Sequence, residues 1–175
     1  MMVTIRAFII LITCYIASCD SPNSTPAKSV NYDSLREPLI NANKLSVKRE
    51  SDEIDQYVKF KGWNASTTGT GIRYVIYKHG DGELASTGKK AKISYTVSLL
   101  DGTLCYTSEK SGPRKFVIGE DHVESGLHEA ITYMHVGDKA MIILPSHLAF
   151  GLSGDNNKIP PRASVLYDIE LLSLQ

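Results

Sequence analysis

The sequence has no excess of either charge, with 19 Lys and Arg against 19 Asp and Glu in 175 residues. That balance leaves no basic footprint for a phosphate backbone and argues against a nucleic-acid partner. No uncharged apolar run reaches the ~20 residues that span a bilayer; the longest core, Ala7 to Ala17, stops short, which excludes a polytopic membrane protein. A glycine-rich phosphate loop is absent, because Gly69, Gly71, Gly80 and Gly82 read as turn residues at strand ends. The five histidines, His79, His122, His128, His135 and His147, show no metal-ligand spacing. No metal and no cofactor are expected. Cysteine is scarce too: Cys14, Cys19 and Cys105 are the only three. What is present, 42% hydrophobic and 22% charged residues, is the composition of a globular protein with one domain.

The N-terminus has the layout of a bacterial secretory signal: one positive charge at Arg6, the apolar core, then small residues. Residues 1–18 read as that signal, and Ile16-Ala17-Ser18-Cys19 resembles a lipobox, in which the cysteine is lipidated and becomes the first residue. The alternatives are an ordinary signal peptide or a buried apolar helix. In the lipidated form Cys14 leaves with the signal and Cys19 is blocked, so Cys105 stands alone. No intramolecular disulfide can then form, and stability must come from the core. Two or three acyl chains on Cys19 would anchor the protein stably to a bacterial membrane, at its periplasmic face or on the cell surface.

Residues 19–49 hold the lipidated cysteine and a segment rich in Pro, Ser and Asn, with Pro22, Pro26 and Pro38, which reads as a flexible tether reaching roughly 30 Å. Residues 50–70 read as a short helix and connector. Ser51 caps the helix, acids fill its first turn and Gly62 stops it, while Ile54, Tyr57 and Val58 share a face able to dock on the domain.

From residue 71 to residue 175 the period changes to two. Ile72, Tyr74 and Ile76 alternate with Arg73, Val75 and Tyr77. Ile93, Tyr95, Val97 and Leu99 alternate with Ser94, Thr96 and Ser98 before the turn Asp101-Gly102. Further strands are expected at 116–118, 139–144 and around Val165 to Leu171. Only Val123, Leu127, Ala130, Ile131 and Met134 recur with a helical period. The pattern predicts an α+β domain, an antiparallel sheet wrapped on one short helix. Tyr74, Tyr77 and Tyr133 read as core.

Six motifs occur in order from Ile93 to Gln175: Ser94-Tyr95-Thr96 with Leu99-Leu100-Asp101-Gly102, Phe116-Val117-Ile118-Gly119, Val136-Gly137-Asp138-Lys139, Leu144-Pro145-Ser146-His147-Leu148-Ala149-Phe150-Gly151, Ile159-Pro160-Pro161, and Tyr167-Asp168-Ile169-Glu170-Leu171-Leu172. In these the chain resembles the FKBP family of peptidyl-prolyl isomerases. The resemblance implies a half-barrel of five to six strands around a short helix, with a proline pocket between them, acting on proline-containing polypeptides as a monomer. The tether and short helix are similar to those of FKBP-type lipoproteins of the Bacteroidetes lineage, including the one associated with gliding motility.

Carried over by position, the resemblance places Tyr95, Phe116, Val123, Leu127, Phe150, Ile159 and Tyr167 in the pocket. It implies that Phe150 covers the proline ring, that Tyr95 and Tyr167 shape the walls, and that the backbone N–H of Ile159 receives the substrate carbonyl. No nucleophile is needed, because rotation about an X-Pro bond breaks only amide resonance, a barrier of ~18–20 kcal/mol. Three positions depart from the family. Cys105-Tyr106 stands where Phe-Asp is usual, which predicts slower isomerisation; Glu124 replaces a common isoleucine; Leu127 replaces a common tryptophan. Cys105 itself reads as a small buried thiol that fills space. Two classes of function follow, an isomerase assisting exported proteins and a binding module in which the same pocket holds a proline peptide or partner with vestigial catalysis.

Overall fold

The structure is a computed structural model that describes residues 32–175. The signal peptide, Cys14 and the lipidation at Cys19 lie outside the described residues. Four helical segments are α1 (Tyr32–Phe60), α2 (Ser108–Ser111), α3 (Ser125–Ile131) and a 3-10 turn at Ser146–Leu148. Seven strands are β1 (Ser66–Thr67), β2 (Arg73–Lys78), β3 (Lys90–Leu99), β4 (Leu104–Thr107), β5 (Arg114–Val117), β6 (Lys139–Leu144) and β7 (Val165–Leu174).

The strands form one antiparallel sheet in the order β1-β2-β6-β7-β3-β4, with β5 also on β3. Seven strands stand where five to six were expected. One side of β3 is shared by two partners, β5 along Lys90 to Ile93 and β4 along Thr96 to Ser98, and Ser66–Thr67 adds a two-residue strand beside β2. The β3–β4 hairpin turns at Asp101-Gly102 as the sequence predicts. Gly102 takes φ +92° and Asp101 Oδ1 accepts from the Thr103 N–H at 2.8 Å. Alternate residues of β3 and β7, among them Ile93, Val97, Tyr167, Ile169 and Leu171, are buried in one core cluster with Leu127, Ala130 and Ile131 of α3. The single helix expected within the domain is therefore α3, which buries Leu127, Ala130 and Ile131 of the expected stripe, while Val123 and Met134 flank it outside the helix.

The tether reading fails over its second half. The helix expected to begin after Ser51 begins at Tyr32 and runs through Pro38 without an interior glycine. Counting Ser and Asn obscured the run Leu39-Ile40-Asn41-Ala42-Asn43-Lys44-Leu45, and Pro38, although inside the helix, removes one i→i−4 backbone bond without ending it. Ser51 is consequently mid-helix and no cap. Its Oγ accepts from Arg73 at 2.6 Å. The expected stop holds: Gly62 takes φ +67°, its N–H bonds the Lys59 carbonyl, and the Trp63 N–H reaches back to the Val58 carbonyl, a Schellman closure with Trp63 packed edge-on to Tyr57.

Residues 39–175 form one compact unit. Helix α1 docks there more by polar contacts than by an apolar stripe, although Ile54 is fully buried. Arg73, expected to face solvent on β2, is buried under the helix, where its guanidinium bonds Asp55 and Ser51 as well as the Gly71 carbonyl. Of the three tyrosines read as core, Tyr74 is partly buried against the core cluster and stacks at 5.0 Å on Tyr133, which is exposed, and Tyr77 is exposed with its hydroxyl on Asp168.

Candidate active site

A cavity of about 370 Å³ opens where β3, β4, β5 and β7 meet the start of α3 and the long loop after Phe150. The sheet supplies three aromatic walls through its two-residue period. Tyr95 and Val97 come from β3, Tyr167 from β7 pairs directly with Val97, and Tyr106 comes from β4. Tyr95 and Tyr167 lie 6.5 Å apart with rings tilted by 45°. Phe150 enters from the turn that follows the 3-10 segment. Burial, and then the negative charge of Glu124, push the Tyr167 phenol well above its ordinary value, so it stays protonated.

The remaining wall is polar. Arg114 Nη1 donates to Glu124 Oε2 at 3.2 Å, and the Glu124 side chain is only 7% exposed. Asp155 projects from the loop between Gly154 and Ile159. Its Oδ1 accepts from the N–H of Asn157 at 2.9 Å and from the N–H of Ile159 at 2.8 Å, and its Oδ2 accepts from the Tyr106 hydroxyl. That hydroxyl accepts in turn from the Asn157 amide at 3.3 Å. Despite burial, these bonds hold the Asp155 carboxyl below the usual carboxylate range, and its proximity raises Tyr106. The loop closes tightly, since Asp155 N–H also bonds the Ile159 carbonyl. A Cβ on Gly154, at φ +69°, would lie 2.2 Å from that oxygen, so no other residue fits there.

The structure brings five of the expected residues to this cavity, Tyr95, Tyr106, Glu124, Phe150 and Tyr167. Five others sit elsewhere. Phe116 is buried in the core with its ring edge-on to His128, and Arg114, two positions earlier on the same face of β5, takes the wall instead. Leu127 is fully buried beneath the cavity's helix, and Val123 packs against the core just before it. Ile159 is buried, and its N–H, expected to receive a substrate carbonyl, is occupied by Asp155. Cys105 lines an adjoining cleft of about 260 Å³ that shares Tyr95 and Tyr106 with the first. It is buried as a space-filling thiol, and burial followed by the Asp155 charge pushes its ionisation up, away from nucleophilic use.

Val97, Arg114, Asp155 and Asn157 are the lining residues that sequence reasoning missed. For Asp155 the signal was present: Gly154-Asp155-Asn156-Asn157 is a turn sequence whose first acid caps backbone donors two and four residues on. A larger cleft, about 430 Å³, lies between α1 and the loops around Asp101, His147 and Arg162, but no Tyr, Phe or Trp lines it.

Residues 82–172 match the family model of FKBP-type peptidyl-prolyl cis-trans isomerases. The chain belongs to the FKBP-type isomerase family. It is 30% identical over 122 residues to the FKBP-type 22 kDa peptidyl-prolyl cis-trans isomerase of Escherichia coli, covering 69% of this chain and 57% of that protein. It is 34% identical over 107 residues to Fkbp12 of Drosophila melanogaster, covering 60% of this chain and 99% of that protein. The chain thus spans little more than half of the bacterial FKBP relative, and nearly all of the insect one. The crystal structure of FkpA from Escherichia coli shares the fold, with a TM-score of 0.63 and 23% identity over 82% of this chain and 69% of that one. In this cavity Tyr95, Phe150 and Tyr167 supply aromatic walls, while an Arg114–Glu124 ion pair and a Tyr106–Asp155 pair make the rim polar.

Proposed function

We propose that the chain is a peptidyl-prolyl cis-trans isomerase that accelerates rotation about X-Pro bonds. The carrying observation is the cup formed by Tyr95, Phe150 and Tyr167, aromatic rings converging on a cavity large enough for a proline ring and its flanking peptide. The planar amide is conjugated and polar, whereas the twisted amide has lost resonance. An aromatic cup that removes water from the bond therefore binds the twisted form better than the planar one, and this difference lowers the barrier. With the Ile159 N–H engaged, the donors near a bound carbonyl include the Asn157 amide and the Arg114 guanidinium. Asp155 supplies a carboxylate to a rim where Tyr106 replaces the family's aspartate. A protease-free assay on a short proline peptide tests the reading: the chain accelerates exchange in proportion to its concentration. Peptide binding without acceleration would instead support a binding module.

The same reading extends to the cell envelope. The Ile16-Ala17-Ser18-Cys19 sequence and the lone Cys105 support a lipoprotein anchored through Cys19, assisting exported proline-containing polypeptides at a bacterial membrane. The lipobox-like sequence supports a Bacteroidetes-type lipoprotein serving gliding motility, a reading that no longer draws on a short helix, because α1 runs from Tyr32 to Phe60. Mass spectrometry of the native N-terminus tests the anchor. A diacylated or triacylated Cys19 is expected, and a Cys19→Ala protein that still fractionates with membranes would contradict it.

A further inference from the structure

Glu50 lies on α1, 96 residues before the turn that carries Phe150, yet its carboxylate ends on that turn. Oε1 accepts from the Ser146 backbone N–H at 2.6 Å and from the Ser164 hydroxyl at 2.7 Å, and Oε2 accepts from the Ser146 hydroxyl at 3.0 Å. Ser146 opens the 3-10 segment, and the residue before it, Pro145, offers no side-chain acceptor as a cap. The carboxylate from α1 fills that place. The carbonyl of the same Ser146 accepts from the N–H groups of Ala149 at 3.0 Å and Gly151 at 2.8 Å, the two residues that flank Phe150. Ser164 immediately precedes Val165, where β7 starts toward Tyr167. One carboxylate therefore joins the two chain segments that present the Phe150 and Tyr167 rings.

We infer that Glu50 is a positioning residue for the proline pocket, fixing from α1 the turn that presents Phe150 and the strand entry that presents Tyr167. This inference rests on the isomerase reading of that pocket. It makes the C-terminal part of α1 a support of the site rather than a spacer before it. The ring of Phe150 contacts substrate through apolar packing, which depends on placement to within a fraction of an ångström. Glu50 acts at the turn's backbone, so its loss lets the ring wander while the sheet stays intact.

The test uses the whole chain with Glu50→Ala, Glu50→Gln and Ser164→Ala, alone and combined with Phe150→Ala. Glu50→Ala is expected to lower kcat/KM roughly tenfold, and Glu50→Gln, which keeps one carbonyl acceptor, to recover most of it. In the Phe150→Ala background Glu50→Ala is expected to add less than about twofold, because the ring through which it acts is gone. Amide hydrogen exchange at Ala149 and Gly151 is expected to quicken in Glu50→Ala. Unchanged exchange there, or an effect that multiplies in full with Phe150→Ala, would overturn the inference. If Glu50→Ala does not fold, Ser164→Ala, which removes one of the three bonds, carries the same cycle with a smaller loss. A wild-type chain lacking isomerase activity sinks the catalytic reading alone, and the exchange rates then decide whether Glu50 holds the turn.

Discussion

Asp155 holds two backbone N–H groups and the Tyr106 hydroxyl at once, so its charge and its shape can be separated by substitution. Asp155→Asn keeps an oxygen for the two N–H groups and turns an amide toward Tyr106, which removes the charge and preserves the loop. If the carboxylate's field acts on the bound amide, kcat/KM falls about threefold to tenfold with the thermal midpoint nearly unchanged. Equal activity in the two proteins would make Asp155 a loop brace only. Phe150→Ala removes a half-buried ring from the cup and is expected to cost about 1.5–3 kcal/mol of transition-state binding, or roughly tenfold to a hundredfold in kcat/KM, with circular dichroism unchanged. Residues such as Tyr95, Phe150 and Tyr167 were legible because they sit in ordered motifs. The hold of Asp155 on its own loop was legible in the turn sequence, but its bond to Tyr106 and the Arg114–Glu124 pair were not, since each joins separate elements that no local pattern links.

The elements were legible wherever one face of a strand or helix is buried, because a period of two or of 3.6 then follows from geometry alone. β3, β7 and α3 obey this, whereas β6 reads as an apolar run, with Ile142, Ile143 and Leu144 buried in succession. α1 does not, because it is held largely by Arg73, Asp55, Ser51 and Glu50, and polar docking writes no hydrophobic period into a helix. Arg73→Met removes the buried charged donors and is expected to cost about 2–3 kcal/mol and to speed amide exchange selectively over Leu39 to Phe60. A uniform rise across the sheet would show that the helix and sheet are not separable in this way. The loop joining α3 to β6 has its own pin: Asp138, fully buried, accepts from the N–H groups of Gly80 and His135, each at 2.7 Å. Asp138→Ala leaves both donors without their partner and is expected to destabilise by about 2–4 kcal/mol in denaturant melts.

For the whole molecule, tyrosine ionisation contributes to the alkaline side of stability. Partial desolvation of a ring that is still half exposed, followed by the hydrogen bond to Asp168, pushes the Tyr77 phenol up to about 12. A phenol whose proton is held more tightly in the folded chain contributes stability in full below its unfolded value near 10, and this contribution is lost as pH rises through about 12. Stability is therefore expected to fall between those limits, and less steeply in Tyr77→Phe, as read by chemical denaturation across that range. The architecture as a whole was legible from the order of strands and the single helical stripe. Its seventh strand and its polar helix dock were not, because two-residue pairings and ion pairs leave no periodic mark.

An aromatic cup, with no nucleophile, is what turns over X-Pro bonds in this chain's proposed activity. The decisive measurement is the protease-free kinetics of a short proline peptide, compared between the wild-type chain and Phe150→Ala at equal concentration. Clear acceleration by the wild type is expected, with a loss of at least about tenfold in the folded variant. Acceleration that is unchanged by removing the Phe150 ring, or no acceleration by a wild-type chain that still binds the peptide, would contradict it.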